Sequence, residues 1–155
     1  MSQSFTIQLK YQWPSTISEN PKDHHLFLTG ISLPNSSAGE YGGNSKFTNP
    51  EELLLSSLCS CHFLTFHALC QKKRLELTRY EDRAQCELEK NEQGKMCIKR
   101  ITLNPQAQFA ANLAPVDREQ YLALHAKAHE HCFIANSLLS RVEFGEQTQF
   151  LIQPS

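Results

Sequence analysis

The spacing of apolar residues changes its period along the chain. A nearly continuous apolar run covers residues 53–70 and predicts a long helix. Asn49 can cap this helix, Pro50 suits its first position, and acidic Glu51 favours the positive end of the helix dipole. Because the run is apolar on nearly every face, sheets of its own chain or a partner subunit must surround the helix.

Apolar residues alternate with polar ones elsewhere, and this period is typical of strands. Alternation over residues 5–9, 26–28 and 31–33 predicts N-terminal strands. The predicted elements that follow are a loop over the Gly- and Ser-rich residues 34–49, a hairpin of residues 75–89 and 96–109 turning at residues 91–94, a second helix from Pro115 or Asp117 toward His131, and a closing strand over residues 142–152. The length of 155 residues suits a single domain, residues 1–155.

Composition narrows the classes of function. The 15 basic and 16 acidic side chains are scattered, and a net charge of −1 makes nucleic acid an unexpected partner. The first ten residues lack the basic and apolar regions of a signal peptide, so we expect a cytoplasmic protein. The apolar run carries His62 and His67 and no aromatic belt, which favours a buried helix over a membrane span.

The chain has six cysteines, and in a reducing compartment they serve as core residues, metal ligands or redox catalysts. Cys61 lies inside the apolar run, and Cys132 follows the His-rich residues 125–131. Two thiols on different elements are the minimum for reversible disulfide chemistry. Cys59 and Cys70 are predicted to be core residues, with Cys59 about 200° around the helix from Cys61.

Three motifs together carry a resemblance to a known family. They are residues 49–54 (NPEELL), 60–64 (SCHFL) and 128–137 (AHEHCFIANS), and in this order and spacing they resemble the OsmC/Ohr family of osmotically inducible and organic hydroperoxide resistance proteins. The resemblance implies an α+β fold. It also implies an intertwined homodimer in which antiparallel β-sheets cover long central helices.

The resemblance further implies a thiol-dependent peroxidase that reduces organic hydroperoxides. By motif position, Cys61 attacks the peroxide and Cys132 resolves the sulfenic acid as a disulfide. No bound cofactor is implied, and the reductant is an external dithiol, for which a lipoyl-type compound is the candidate. An apolar substrate pocket is expected to be lined by Phe63, Phe66 and Phe133.

The family activates the attacking thiol with an N-terminal arginine, which the glutamate at the start of the central helix orients. Here the first arginine is Arg74, so Lys22 is the expected substitute and Glu51 its orienting carboxylate. Lysine keeps the charge but lacks the planar fork of arginine. Ten residues of straight helix would separate Glu51 from Cys61 by about 15 Å. Either the helix bends or breaks near residues 56–57, or Glu51 acts through Lys22 or across the dimer interface.

Two alternatives remain open at this point. His125, His129 and Cys132 would share one face if the second helix continued far enough, and such a face could bind a metal, with Cys61 as a fourth ligand. The chain could also be a non-catalytic scaffold of the same fold. His62 follows Cys61 directly and points away from it on a helix, which disfavours a Cys–His nucleophile pair.

Overall fold

The computed structural model describes residues 3–12, 18–110, 116–145 and 148–151. The predicted Pro115 and the end of the predicted closing strand, Ile152, lie outside these residues. Contacts divide the chain into two compact units, Met1–Leu54 and Leu55–Ser155. The expectation of one domain over residues 1–155 stays a prediction.

The N-terminal unit contains a three-stranded antiparallel sheet. Its strands, in the order β1-β2-β3, are β1 (Gln8–Lys10), β2 (His24–Leu28) and β3 (Ile31–Asn35). Gly30 adopts a positive φ of 79° in the turn between β2 and β3, a conformation that favours glycine. A single turn of 3₁₀-helix at Gly39–Tyr41 interrupts the predicted loop.

The first helix, α1, spans Pro50–Lys72. A reciprocal capping box begins it: the Glu52 backbone N–H donates to Asn49 Oδ1 at 2.9 Å, and the Asn49 N–H donates to a Glu52 carboxylate oxygen at 3.3 Å. The predicted helix start is therefore confirmed. The helix is continuous, so the break considered near residues 56–57 does not occur.

The second unit holds the rest of α1, two sheets and a second helix. Its elements are β4 (Leu77–Glu81), β5 (Gln85–Lys90), β6 (Met96–Leu103), β7 (Gln106–Phe109), α2 (Arg118–His131), β8 (Arg141–Phe144) and β9 (Gln149–Leu151). The sheets have strand orders β4-β7-β9 and β5-β6-β8. Strands β5 and β6 form a hairpin at the predicted turn. The prediction of one continuous strand on each side is wrong, because residues 75–89 and 96–109 each divide into two strands, and β4 pairs with β7 in the other sheet. The side chain of Asp117 caps α2 by accepting from the Gln120 N–H at 2.7 Å, as the sequence predicts.

The single closing strand predicted over residues 142–152 is wrong. Two short strands replace it, and each joins a different sheet: β8 runs parallel to β6, and β9 runs parallel to β7. The α+β class is confirmed, although both sheets of this unit also contain one parallel pair.

Two clusters form the core of the second unit. One surrounds Phe66 and Cys70 of α1 and includes Tyr121, Leu124 and Ala128 of α2. The other surrounds Leu58 of α1 and includes Ile101, Leu103 and Cys132. By length and composition α1 could also cross a membrane, but its buried residues Leu58, His62, Phe66 and Cys70 form one stripe facing its own chain, as in a core helix.

Candidate active site around Cys61 and Cys132

The structure brings the two predicted redox thiols together. Cys61 lies on α1, half-buried, and Cys132 is the fully buried residue that ends α2. The two thiols lie close enough for Cys61 to raise the pKa of Cys132. Residues 71 positions apart in sequence thus meet within one core cluster.

Cys132 is held by the turn that follows α2. Its backbone is extended, with φ −73° and ψ 114°, so the helix ends at His131. The Asn136 side chain donates to the Cys132 carbonyl oxygen at 3.1 Å and to the Glu130 carbonyl oxygen at 2.9 Å. The Ala135 N–H donates to Cys132 Sγ at 3.4 Å. Asn136 belongs to the third family motif, but the sequence reasoning gave it no role.

Burial and Cys61 together control the protonation of Cys132. Burial raises the pKa of the Cys132 thiol, and the hydrogen bond to Cys61 and the charge of Cys61 raise it further, to about 11. Cys132 therefore keeps its proton at neutral pH.

Cys59 and Cys70 are held as thiols in other surroundings. Burial, followed by the charge of Asp82 and a hydrogen bond to it, raises the pKa of Cys59 to about 12. Burial raises the pKa of Cys70 to about 11. Both findings agree with the prediction that these two cysteines are structural.

The predicted activating residues lie in the N-terminal unit. Lys22 is exposed, and its ammonium group donates to the backbone carbonyl oxygen of Tyr41. Glu51 is half-buried in the first turn of α1. Their roles toward Cys61 stay predictions. The apolar side chains packed in the cluster with the two thiols include Leu58, Ile101 and Leu103.

The three aromatic residues predicted to line a substrate pocket lie in different surroundings. Phe66 is fully buried in the first cluster, where its ring stacks on His125 with centroids 4.1 Å apart. Phe63 packs against Tyr80, and Phe133 is 82% exposed. Phe66 is thus a core residue of the cluster that does not contain the thiols, and pocket roles for Phe63 and Phe133 stay predictions.

The structure does not form the metal-binding face that the sequence leaves open as an alternative. Because α2 ends at His131, Cys132 leaves the helical face that carries His125 and His129. Within the described ranges, no group of three or more His, Cys, Asp or Glu side chains could hold a metal ion. His125 instead bonds to His62 of α1, with 2.9 Å between His62 Nε2 and His125 Nδ1.

Comparisons with known proteins identify relatives of this chain. Residues 42–146 match the family model described as OsmC-like protein. The uncharacterized protein YmaD of Bacillus subtilis (strain 168) is 26% identical over 139 residues, which are 87% of each chain. The structure of an OsmC-like protein of unknown function from Vibrio cholerae O1 biovar eltor str. N16961 has a TM-score of 0.84 and 26% identity, covering 97% of this chain and 100% of that one.

More distant structures share the fold. An organic hydroperoxide resistance protein OsmC from Legionella pneumophila has a TM-score of 0.65 and 18% identity, over 97% of this chain and 98% of that chain. The organic hydroperoxide resistance protein OhrB of Bacillus subtilis has a TM-score of 0.62 and 20% identity, over 96% and 98%. With the family model matching well over half of its length, the chain belongs to the OsmC-like protein family.

Proposed function

We propose that this protein is a thiol-dependent peroxidase that reduces organic hydroperoxides with Cys61 and Cys132. The observation that carries the proposal is the proximity of these two thiols, which share one core cluster, Cys132 fully buried and Cys61 half-buried. Family membership and the names of the distant Legionella and Bacillus structures support the substrate class.

The reaction balances in three steps. The Cys61 thiolate attacks the O–O bond, and with one proton this gives a sulfenic acid on Cys61 and an alcohol. The Cys132 thiol then condenses with the sulfenic acid, forming the disulfide and releasing water. An external dithiol, for which a lipoyl-type compound is our candidate, reduces the disulfide and is itself oxidised to a disulfide.

Lys22 is our candidate for the activating cation, and Glu51 for the carboxylate that orients it. Lysine at this position should support slower attack than arginine because an ammonium group cannot hold a carboxylate and a thiolate in one planar fork. A Lys22→Arg variant should therefore react faster with hydroperoxide than the natural protein. Equal second-order rate constants would count against this assignment.

A homodimer in the cytoplasm is the proposed form of the protein. Apolar side chains on both elements of the site are exposed in the single chain: Leu64 on α1 is 61% exposed and Phe133 after α2 is 82% exposed. A second subunit that covers them would remove this apolar surface from water. Sedimentation equilibrium gives the mass directly, and a monomer at micromolar concentration would contradict the proposal.

The central experiment adds cumene hydroperoxide to the fully reduced protein. The natural protein should lose two titratable thiols per chain and yield a peptide cross-linked between Cys61 and Cys132. A Cys132→Ser variant should stop at a sulfenic acid on Cys61, which dimedone traps. Cys59→Ser is the matched control on the same helix and should behave like the natural protein.

The same experiment separates catalysis from a scaffold role. A scaffold would keep its thiols at peroxide concentrations that oxidise the catalyst, or would lose them at the rate of free cysteine. Either result would overturn the peroxidase proposal.

A further inference from the structure

A pair of buried histidines joins the two helices that carry the redox thiols. His62 on α1 and His125 on α2 are 0% and 1% exposed. Their rings lie within 10° of parallel, and 2.9 Å separates His62 Nε2 from His125 Nδ1. Phe66 stacks on one side of His125, and Tyr121 meets it edge-on with centroids 4.5 Å apart.

This pair contributes less to the free energy of folding than an apolar contact between the two helices would. Among the described residues, the outer ring nitrogens, His62 Nδ1 and His125 Nε2, are buried without a hydrogen-bond partner. Buried polar atoms are nearly always bonded, and two apolar side chains of similar shape would avoid the cost of desolvating these nitrogens. The pair therefore calls for an explanation other than stability.

The position of the histidine pair relative to the two redox thiols supplies such an explanation. His62 directly follows Cys61 on α1, and His125 lies two turns before Cys132 on α2. Further along α1, Phe66 contacts Tyr121, which precedes His125. Residues later in α1 therefore contact residues earlier in α2, which means that the two helices run antiparallel. Along this interface, the His62–His125 bond is the next contact after the two redox thiols.

A hydrogen bond constrains two helices more narrowly than apolar packing does. Its length and angle are limited to a small range, whereas apolar side chains of similar volume tolerate small shifts by repacking. Between two largely apolar clusters, this bond fixes how far α1 can slide along α2.

We propose that the His62–His125 hydrogen bond sets the register of α1 against α2 and thereby holds Cys61 within reach of Cys132. Both histidines are positioning residues. The inference deepens the proposed function, since it concerns the step in which the disulfide forms, but it can be tested without any peroxide.

The test is the equilibrium between the protein and glutathione at pH 7.5, with the Cys61–Cys132 disulfide quantified by peptide mapping. This equilibrium gives the effective concentration of one thiol toward the other. In a His62→Leu/His125→Leu variant it should fall about tenfold to a hundredfold, because small displacements of reacting groups have effects of this size. Urea denaturation checks that the variant is folded.

A variant that restores the hydrogen bond separates a positioning role of the histidines from a general loss of packing. In a His62→Gln/His125→Asn variant, the amide of Gln reaches the place of Nε2 and the amide of Asn the place of Nδ1, so the bond can form again. The effective concentration should return to within about threefold of the natural value. His131→Leu, at an exposed histidine of α2, is the control and should change nothing.

Two outcomes would overturn the inference: a natural effective concentration in the leucine pair, or a loss that the amide pair does not restore. If the leucine pair does not fold, His125→Leu alone replaces it in the same comparison. A protein inert to cumene hydroperoxide whose disulfide equilibrium still responds to these variants would refute the proposed function and leave the positioning role intact.

Discussion

Acid should destabilise this protein through the buried histidine pair. Burial, followed by the charge of His129, lowers the pKa of His62 from its ordinary 6.5 to about 4. Burial and the charge of His62 lower the pKa of His125 to about 3. Burial also raises the pKa values of the neighbouring Tyr80 and Tyr121, so neither ring supplies a negative charge to offset a protonated histidine at acidic pH.

The direction of the effect follows from these values. Below pH 6.5 the unfolded chain binds protons at both histidines, while the folded chain binds them only near pH 4 and below. The contribution to stability is complete above pH 6.5 and decreases as the pH falls. At pH 5 each histidine should have removed about 2 kcal/mol from the free energy of unfolding, or about 4 kcal/mol for the pair.

Urea denaturation at pH 7.5 and pH 5.0, at one protein concentration, measures this loss. Carboxylates and other groups also titrate, so the informative quantity is the difference from a His62→Leu/His125→Leu variant. That variant should lose about 4 kcal/mol less than the natural protein over the same interval. His131→Leu should retain the natural loss. Equal losses in the natural protein and the leucine pair would refute the reasoning.

Three further predictions concern packing and backbone, each measured by urea denaturation at pH 7.5. Phe66→Ala, at a fully buried ring, should cost about 3–5 kcal/mol; a cost below about 1 kcal/mol would contradict the core assignment. Asn49→Ala removes the capping box and should cost about 1 kcal/mol, so no change would mean that the cap is not formed. Gly43→Ala would place a Cβ 1.6 Å from a backbone oxygen and should cost about 1–3 kcal/mol, whereas Gly39→Ala meets nothing closer than 3.9 Å; an equally tolerated pair would contradict the close approach.

The parts of the fold that follow from local chemistry could be read from the sequence. The side chains of Asn49 and Asp117 cap the two helices, and each accepts a hydrogen bond from the backbone N–H three residues ahead. The predicted hairpin turn is tied by Asn91, whose side-chain oxygen accepts from the N–H groups of Gln93 and Lys95. Each signal involves residues within a few positions of one another, so no knowledge of distant contacts is needed.

The predictions that failed depend on distant contacts. The sequence predicts a single strand over residues 142–152, but β8 and β9 pair with strands of different sheets, and those partners divide the segment. The metal face, an alternative that the sequence leaves open, required α2 to continue through Cys132, whereas the helix ends at His131. Neither the division of the closing strand nor the end of α2 is strongly indicated by the residues at those positions.

The histidine pair was missed although the sequence held a signal for it. His62 falls at four-residue spacing between Leu58 and Phe66, and His125 follows Tyr121 by four and precedes Ala128 by three. Each is the polar member of an otherwise apolar stripe. A buried polar residue needs a polar partner, and two helices that each bury one can provide it for one another.

The way Cys132 is attached suggests which thiol moves when the disulfide forms. The two free thiols must bring their sulfur atoms to about 2.05 Å to form the disulfide, so at least one side chain has to shift. Cys61 lies in the middle of α1, where a backbone shift would strain helical bonds on both sides. Cys132 lies past the last turn of α2, and its bonds to Ala135 and Asn136 run within the turn that follows, so this turn can shift without breaking the regular helical bonds of α2. Moving Cys132 and its turn should therefore cost less free energy than moving Cys61, while the histidine bond keeps the two helices in place.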